Sequence, residues 1–436
     1  MIDLLAAIEE GGASGTAPGS YFSKRRYAGS KDRRAIIEQF FSILRSRAKL
    51  DWWIASQAAA VDITPRSHVI ADLVLRGGLS ESDIAALFGS TDYAPPSLTP
   101  DECALIRDLE GQDHNHLEQA IHPLWIRKEF PDWLEASLAE TYGEKLEQEM
   151  IALNEPAPVD LRINTFKTTR DDVYEQLVKA DIACDPTSLS PMGLRLHGHP
   201  RVTHTQAFKD GLFEVQDEGS QLAALLTDAR AGMTVIDYCA GAGGKTLALV
   251  NAMIEDDQFD GLFWACDITE SRLRELNKRA TRNGTAEAIL PHDLSSDDTW
   301  LRDNANLADR VLTDVPCSGS GAWRRAPESR WRLTADTLQE YIDQQRDILA
   351  KAGALVKSGG RLIYVTCSIL PAENEDQIAW FLENHSDFSA LPVTDLWARI
   401  IGGTSPTSTV ASNLALRLSP ASSQTDGFFI AILQKS

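Results

Sequence analysis

From about Phe213 onward the sequence repeats strand, loop and helix, and this alternation limits the possible folds more than any other feature. Strand-like apolar runs at 233–238, 262–266, 287–291, 309–314, 361–366 and 427–433 alternate with helix-period stretches at 217–229, 244–254, 270–282, 335–356 and 373–384. Such a pattern calls for a mostly parallel sheet with helices on both faces, because each apolar strand must be buried on two sides. Sheets of this kind bind ligands at the carboxyl ends of their strands. The residues that follow strand ends are therefore the ones to read for chemistry.

The first of these strands runs into Asp237-Tyr238-Cys239-Ala240-Gly241-Ala242-Gly243-Gly244-Lys245-Thr246 and then a helix. Glycines let the backbone approach a ligand, and a helix N-terminus offers unpaired N–H groups. An ATPase loop would need glycine where Cys239 stands, and a dinucleotide loop would need one where Thr246 stands. The pattern that remains fits an adenosine-containing cofactor with no pyrophosphate. Asp267 ends the second strand and can accept both ribose hydroxyls of an adenosine, while Asp293, after the third, can approach the adenine. Either aspartate alone would more often be a turn or cap residue.

Two thiols lie past later strand ends, in Asp314-Val315-Pro316-Cys317-Ser318-Gly319 and in Thr366-Cys367-Ser368. Their flanking Pro, Gly and Ser mark tight turns in which a thiol can react, whereas Cys184 and Cys266 read as small buried residues. None of the six cysteines sits in a CxxC pair or beside a histidine cluster, so no metal is expected. Between the two loops, 322–332 interleaves Arg324, Arg325, Arg330 and Arg332 with two tryptophans. Arginine pairs with phosphate and tryptophan stacks on unpaired bases, so RNA contact is expected there. The formal charge of −21 counts against nucleic acid, but it is unevenly spread. Residues 51–160 carry 21 acidic against 6 basic side chains, and residues 20–49 carry 9 basic against 2 acidic.

At 436 residues the chain exceeds the size of a single core, and three segments are expected. Residues 1–150 read as helical: Ile36, Ile37, Phe40, Phe41 and Leu44 recur at helical spacing over 31–48, with Ser30 as N-cap, and further helices are expected at 65–77, 81–88, 101–110 and 134–153. Residues 151–212 read as a small mixed α/β subdomain, with alternation at 159–163 and 194–196 around a helix at 170–180. Residues 213–436 hold the strand–helix repeat and a Ser/Thr-rich loop around a short strand at 403–425. The start of the chain has no signal-peptide pattern and no apolar run is long enough to span a bilayer. With unpaired cysteines, these features lead us to expect a cytoplasmic protein with no membrane partner, and a monomer.

The glycine loop, the Asp-Val-Pro-Cys-Ser-Gly loop, the Val-Thr-Cys-Ser turn followed by Glu373-Asn374-Glu375, and the closing Asp426-Gly427-Phe428-Phe429 together resemble the RsmB/NOP/Sun family of RNA cytosine-C5 methyltransferases, above all its bacterial 16S ribosomal-RNA members. The resemblance implies a seven-stranded, Rossmann-like class I methyltransferase domain that takes S-adenosylmethionine. It implies that Cys367 attacks cytosine C6 and that Cys317 assists product release. It carries cofactor contacts onto Cys239, Ala240, Gly241, Ala242, Gly243, Gly244, Lys245, Asp267, Asp293 and Asp314, and it matches Arg162 and Asn164 to an RNA-binding Arg-x-Asn stretch. The N-terminal helices, with Ala-Gly-Ser-Lys-Asp-Arg-Arg at 28–34, resemble a NusB-like RNA-binding domain. Gly241-Ala242 stands where the family usually has Ala-Pro, which keeps small side chains but removes rigidity.

This chemistry explains the need for a thiol. C5 of cytosine is too weak a nucleophile to take a methyl group unaided, and a thiolate added to C6 makes it enamine-like. Asp314 is expected to donate or relay a proton near N3. Three competing functions remain: transfer RNA as substrate, a catalytically silent RNA-binding assembly factor, and a small-molecule methyltransferase. The silent factor should have lost a thiol or carboxylate, and the small-molecule enzyme leaves the arginine–tryptophan segment without a role.

Overall fold

The computed structural model describes residues 1–57, 61–89, 94–112, 114–295, 299–406 and 414–436. Two compact units emerge: Met1–Glu155 with Trp323–Leu333, and Pro156–Ala322 with Thr334–Ser436.

The first unit is helical. Its core gathers Leu4, Leu5, Ile8, Phe40, Ile43, Leu44, Trp53, Ile70, Leu105 and Leu109. The helix expected over 31–48 is observed as Ser30–Leu44 followed by a second helix, Arg47–Ala55. Its N-cap is Gly29 rather than Ser30: the Gly29 N–H donates to the Asp32 carboxylate. Pro65–Leu75, Glu81–Leu87 and Pro100–Leu109 each start at a Thr or Ser whose hydroxyl accepts the third N–H of the helix, satisfying a donor that the helix cannot. The long helix expected at 134–153 is divided into Glu135–Tyr142 and Leu146–Asn154, because Gly143 takes a positive φ and ends the first. This unit also holds the short helices Ile2–Glu9, Ala17–Ser23, Leu124–Lys128 and Ser329–Arg332.

The second unit holds two larger sheets. In the smaller, Cys184–Pro186, Gly193–Leu196, Val159–Ile163 and Phe213–Val215 pair antiparallel in that order, and the helix Arg170–Lys179 packs Val173 and Leu177 on them. This sheet runs three residues past the expected boundary at 212.

The larger sheet has the order Phe388–Ala390, Phe428–Lys435, Val356–Thr366, Ala308–Asp314, Thr234–Asp237, Leu262–Asp267, Leu290–Asp293. The central pairs are parallel and Phe428–Lys435 is antiparallel. An eighth strand, Ala415–Leu418, shares the outer edge of Phe428–Lys435 with Phe388–Ala390. Within the loop expected at 403–425, residues 407–413 lie outside the described residues. From Thr234–Asp237 the chain winds one way to Leu290–Asp293, and then crosses to Ala308–Asp314 and winds the other way. In sheets of this kind ligands bind at the carboxyl ends of the strands where the winding reverses, here Thr234–Asp237 and Ala308–Asp314. Among the described residues no helix is long and apolar enough to cross a membrane.

Candidate active site

The glycine loop leaves the carboxyl end of Thr234–Asp237 at this reversal. Gly243 has φ +85° and caps the helix Gly244–Ala252. A Cβ there would also lie 2.7 Å from the Leu276 side chain, so only glycine fits. Gly241 takes φ +56°, and nothing lies within 4 Å of where its Cβ would be. Asp267 holds the loop, accepting from Gly241 N at 2.9 Å and from Thr269 N at 2.7 Å. Asp293 sits in register beside Asp267 on the neighbouring strand. Hydrogen bonds from the Ser295 hydroxyl and N–H hold its carboxyl below the usual range.

Lys245 is 7% exposed and donates to Asp314 at 2.6 Å, with its ammonium 5.3 Å from the centre of the Phe428 ring. Asp237 is fully buried. Thr246 Oγ1 donates to its Oδ2 at 2.7 Å, and Oδ1 has no hydrogen-bond partner. Burial above all, together with the charge of Asp314, pushes the Asp237 carboxyl up to about 7. An orphaned acceptor behind a glycine cradle, beside two strand-end carboxylates, fits a ligand that brings hydroxyl and ammonium donors. S-adenosylmethionine is such a ligand. Cys239 lies at the start of the same loop, where burial above all pushes its thiol well above the ordinary range.

The two loop cysteines meet. Cys317 Sγ and Cys367 Sγ are 3.5 Å apart, although 50 residues separate them in sequence. The hydrogen bond with Cys367, burial, and the charges of Cys367 and Glu373 hold the Cys317 thiol well above its ordinary range. Asn374 brackets Cys367: its Oδ1 accepts from Thr366 Oγ1 at 2.6 Å and its Nδ2 donates to Ser368 O at 3.0 Å. Arg417 pairs with Glu375 at 2.6 Å and donates to Ile369 O at 2.8 Å, fixing the next part of the same turn. Cys184 and Cys266 are buried. Among the described residues no group of three His, Cys, Asp or Glu side chains could hold a metal.

The arginines expected to meet RNA are placed differently. Arg330 is 1% exposed and donates to the carbonyls of Glu129 and Leu153 and to Asn154 Oδ1. Arg332 donates to Ile8 O and Gly12 O. Arg324 is 5% exposed, its carbonyl accepting from Arg45, and Trp323 is buried. A guanidinium occupied by main-chain carbonyls in a core is a structural anchor, so Arg330 serves the helical unit, whereas Arg332 is exposed. Arg325 is half-buried.

Arg162 and Asn164 are also buried. Arg162 donates to Gln216 Oε1 and to Gly244 O, bracing the start of the helix behind the glycine loop. Asn164 donates to Gly211 O and Asn283 O. They shape the site from behind. Sequence reasoning gave no role to Glu373, Gln345, Arg279 or Phe428, although Arg279 donates to Ala242 O at 2.8 Å. Glu373 and Phe428 do fall within stretches that carry the family resemblance.

A class I α/β sheet with a glycine loop, strand-end carboxylates and a thiol pair over the central crevice defines a methyltransferase that uses S-adenosylmethionine. The family described as 16S rRNA methyltransferase RsmB/F matches residues 224–434, and the ferredoxin-like domain described for RsmF/B-like methyltransferases matches residues 130–203. The chain is 36% identical to the probable ribosomal RNA small subunit methyltransferase B of Synechocystis, over 75% of this chain and 71% of that one. It is 31% identical to ribosomal RNA small subunit methyltransferase B of Yersinia pseudotuberculosis, over 82% of this chain and 83% of that one. Among solved structures, a methyltransferase homolog protein from Pyrococcus horikoshii aligns with TM-score 0.59 and 28% identity, covering 72% of this chain and 98% of that one. The chain belongs to the RsmB/NOP/Sun family of S-adenosylmethionine-dependent RNA methyltransferases, in its bacterial 16S ribosomal-RNA branch.

Proposed function

We propose that this enzyme methylates C5 of a cytosine in 16S ribosomal RNA, with Cys367 as nucleophile and Cys317 assisting release. The observation that carries the reading is the 3.5 Å approach of the two thiols at the edge of the glycine-loop crevice. When bound, S-adenosylmethionine supplies an electrophilic methyl group, and the glycine loop, Lys245, Asp267, Asp293 and Asp314 are the residues to hold it.

The chain's own residues then work on the base. The Cys367 sulfur bonds to C6, which moves electron density onto C5, and C5 takes the methyl group. The C5 proton leaves, the C5–C6 double bond re-forms, and the bond from sulfur to C6 breaks to free Cys367. Cys317 lies close enough to serve that last stage. Asp314 is paired with Lys245 at 2.6 Å, and its proposed role is to orient the ring near N3. The basic stretch at 24–34, where Lys24, Arg26, Lys31 and Arg34 are exposed, is the proposed RNA contact. A ribosomal-RNA substrate and free thiols support a cytoplasmic enzyme.

The test incubates the enzyme with 16S and transfer-RNA transcripts and methyl-labelled S-adenosylmethionine, then maps the product by bisulfite sequencing. A protected cytosine in the 16S transcript is expected. Label in transfer RNA alone would move the substrate.

A further inference from the structure

Sheet pairing between the two cysteine-bearing strands stops early. Asp314 pairs with Val365 in register, and the last rung is Val315 N to Val365 O at 3.0 Å, two residues before Cys317. Beyond that point Gly321 N donates to Cys367 O at 2.8 Å and Ile369 N to Ser320 Oγ at 2.9 Å, and a buried carboxylate ties the residues next to the two thiols. Glu373, 0% exposed, lies where both turns can reach it. Its Oε1 accepts from Ser318 N at 2.8 Å and from Gln345 Nε2 at 3.1 Å, while its Oε2 accepts from the hydroxyls of Ser318 and Ser368. Ser318 follows Cys317, and Ser368 follows Cys367. Gln345 also donates to Pro316 O at 3.0 Å, fixing the residue on the other side of Cys317. Tyr364 OH donates to the Glu373 carbonyl at 2.6 Å and so holds the clamp to the Cys367 strand.

A carboxylate without water is costly unless its lone pairs are filled, and here four donors fill them. All but the Gln345 donor come from residues immediately after a thiol. An apolar residue would pack in this place at less cost if packing were its only task.

We propose that Glu373 is a positioning residue of the methyl-transfer reaction, holding Cys317 and Cys367 at working distance by bonding the serine that follows each. The inference rests on these two thiols being the reacting pair.

The test uses the full chain and two variants, Glu373→Ala and Glu373→Gln. Thiol separation is read on the protein alone by cross-linking Cys317 to Cys367 with dibromobimane. Turnover is read on a 16S transcript as kcat and as KM for S-adenosylmethionine. Glu373→Ala should lose cross-linking by about fivefold and kcat by about 100-fold, the scale of a small misplacement of reacting groups, with KM for the cofactor within about twofold. Glu373→Gln keeps an acceptor for Ser318 N and Gln345, so it should still cross-link and lose about tenfold in kcat. Cross-linking and kcat at wild-type levels in Glu373→Ala would overturn the proposal. So would an equal loss of cofactor binding, which marks a general packing role. If Glu373→Ala does not fold, Glu373→Gln decides: a lower kcat at unchanged KM supports the clamp, and full activity refutes it. A wild-type chain that cross-links but leaves the transcript unmethylated would instead count against the proposed substrate.

Discussion

Lys245 and Asp314 face each other across 2.6 Å, tying the helix that begins at the glycine loop to the strand that leads to Cys317. A cation in the first turn of a helix opposes the helix dipole by about 0.3–1 kcal/mol. Asp314 and the face of the Phe428 ring offset that cost.

Lys245→Met removes the charge and keeps the length, which leaves Asp314 without its cation. S-adenosylmethionine affinity measured by titration calorimetry should fall by about tenfold or more, roughly 1.4 kcal/mol. An unchanged affinity would show that this pair serves the fold alone.

In the helical unit, Glu129 caps the helix Arg47–Ala55 by accepting from Ala48 N and Lys49 N. Burial, the largest cause, pushes its carboxyl from 4.5 up to about 7. Between those values the folded chain keeps a proton that the unfolded chain has lost, so this group's stabilisation falls as pH rises from 4.5 through 7. The slope is at most about 1.4 kcal/mol per pH unit. Glu129→Gln should remove that slope while losing part of the cap, so that its stability deficit shrinks between pH 5 and pH 7.5. Thermal melts across that range test this, and a constant deficit would contradict it.

Arg330 supplies donors to two carbonyls and an amide oxygen inside the helical unit. Arg330→Met fills the space but leaves those acceptors unpaired, at a cost of about 3 kcal/mol. Denaturant unfolding should show that loss. Undiminished stability with impaired RNA binding would return Arg330 to the RNA surface.

Most of the catalytic sheet was legible because its punctuation is local. Asp237, Asp267 and Asp314 end strands where the sequence places them, and the glycines at 241, 243 and 244 open the helix that the pattern requires. The arginine segment misled because its partners are distant in the chain. Glu129 and Leu153 take up Arg330, Ile8 and Gly12 accept from Arg332, and no local pattern records the burial of Arg330. Arg162 shows the same effect on a strand whose alternation alone leaves its partner open. Glu373 was visible only as part of a motif. Its task depends on two serines, one of them 55 residues away. The split of the helix at 134–153 turned on Gly143, whose positive φ the apolar spacing around it does not reveal.

The central claim is that Cys367 forms a bond to the base and that Cys317 is needed to resolve it. It is tested most directly by incubating Cys317→Ala with a 16S transcript and S-adenosylmethionine and running the mixture on a denaturing gel. A slow band that contains both protein and RNA is expected, and it should be absent from the Cys317→Ala, Cys367→Ala double variant. Normal turnover by Cys367→Ala, or no adduct from Cys317→Ala on a transcript that the wild-type enzyme methylates, would contradict it.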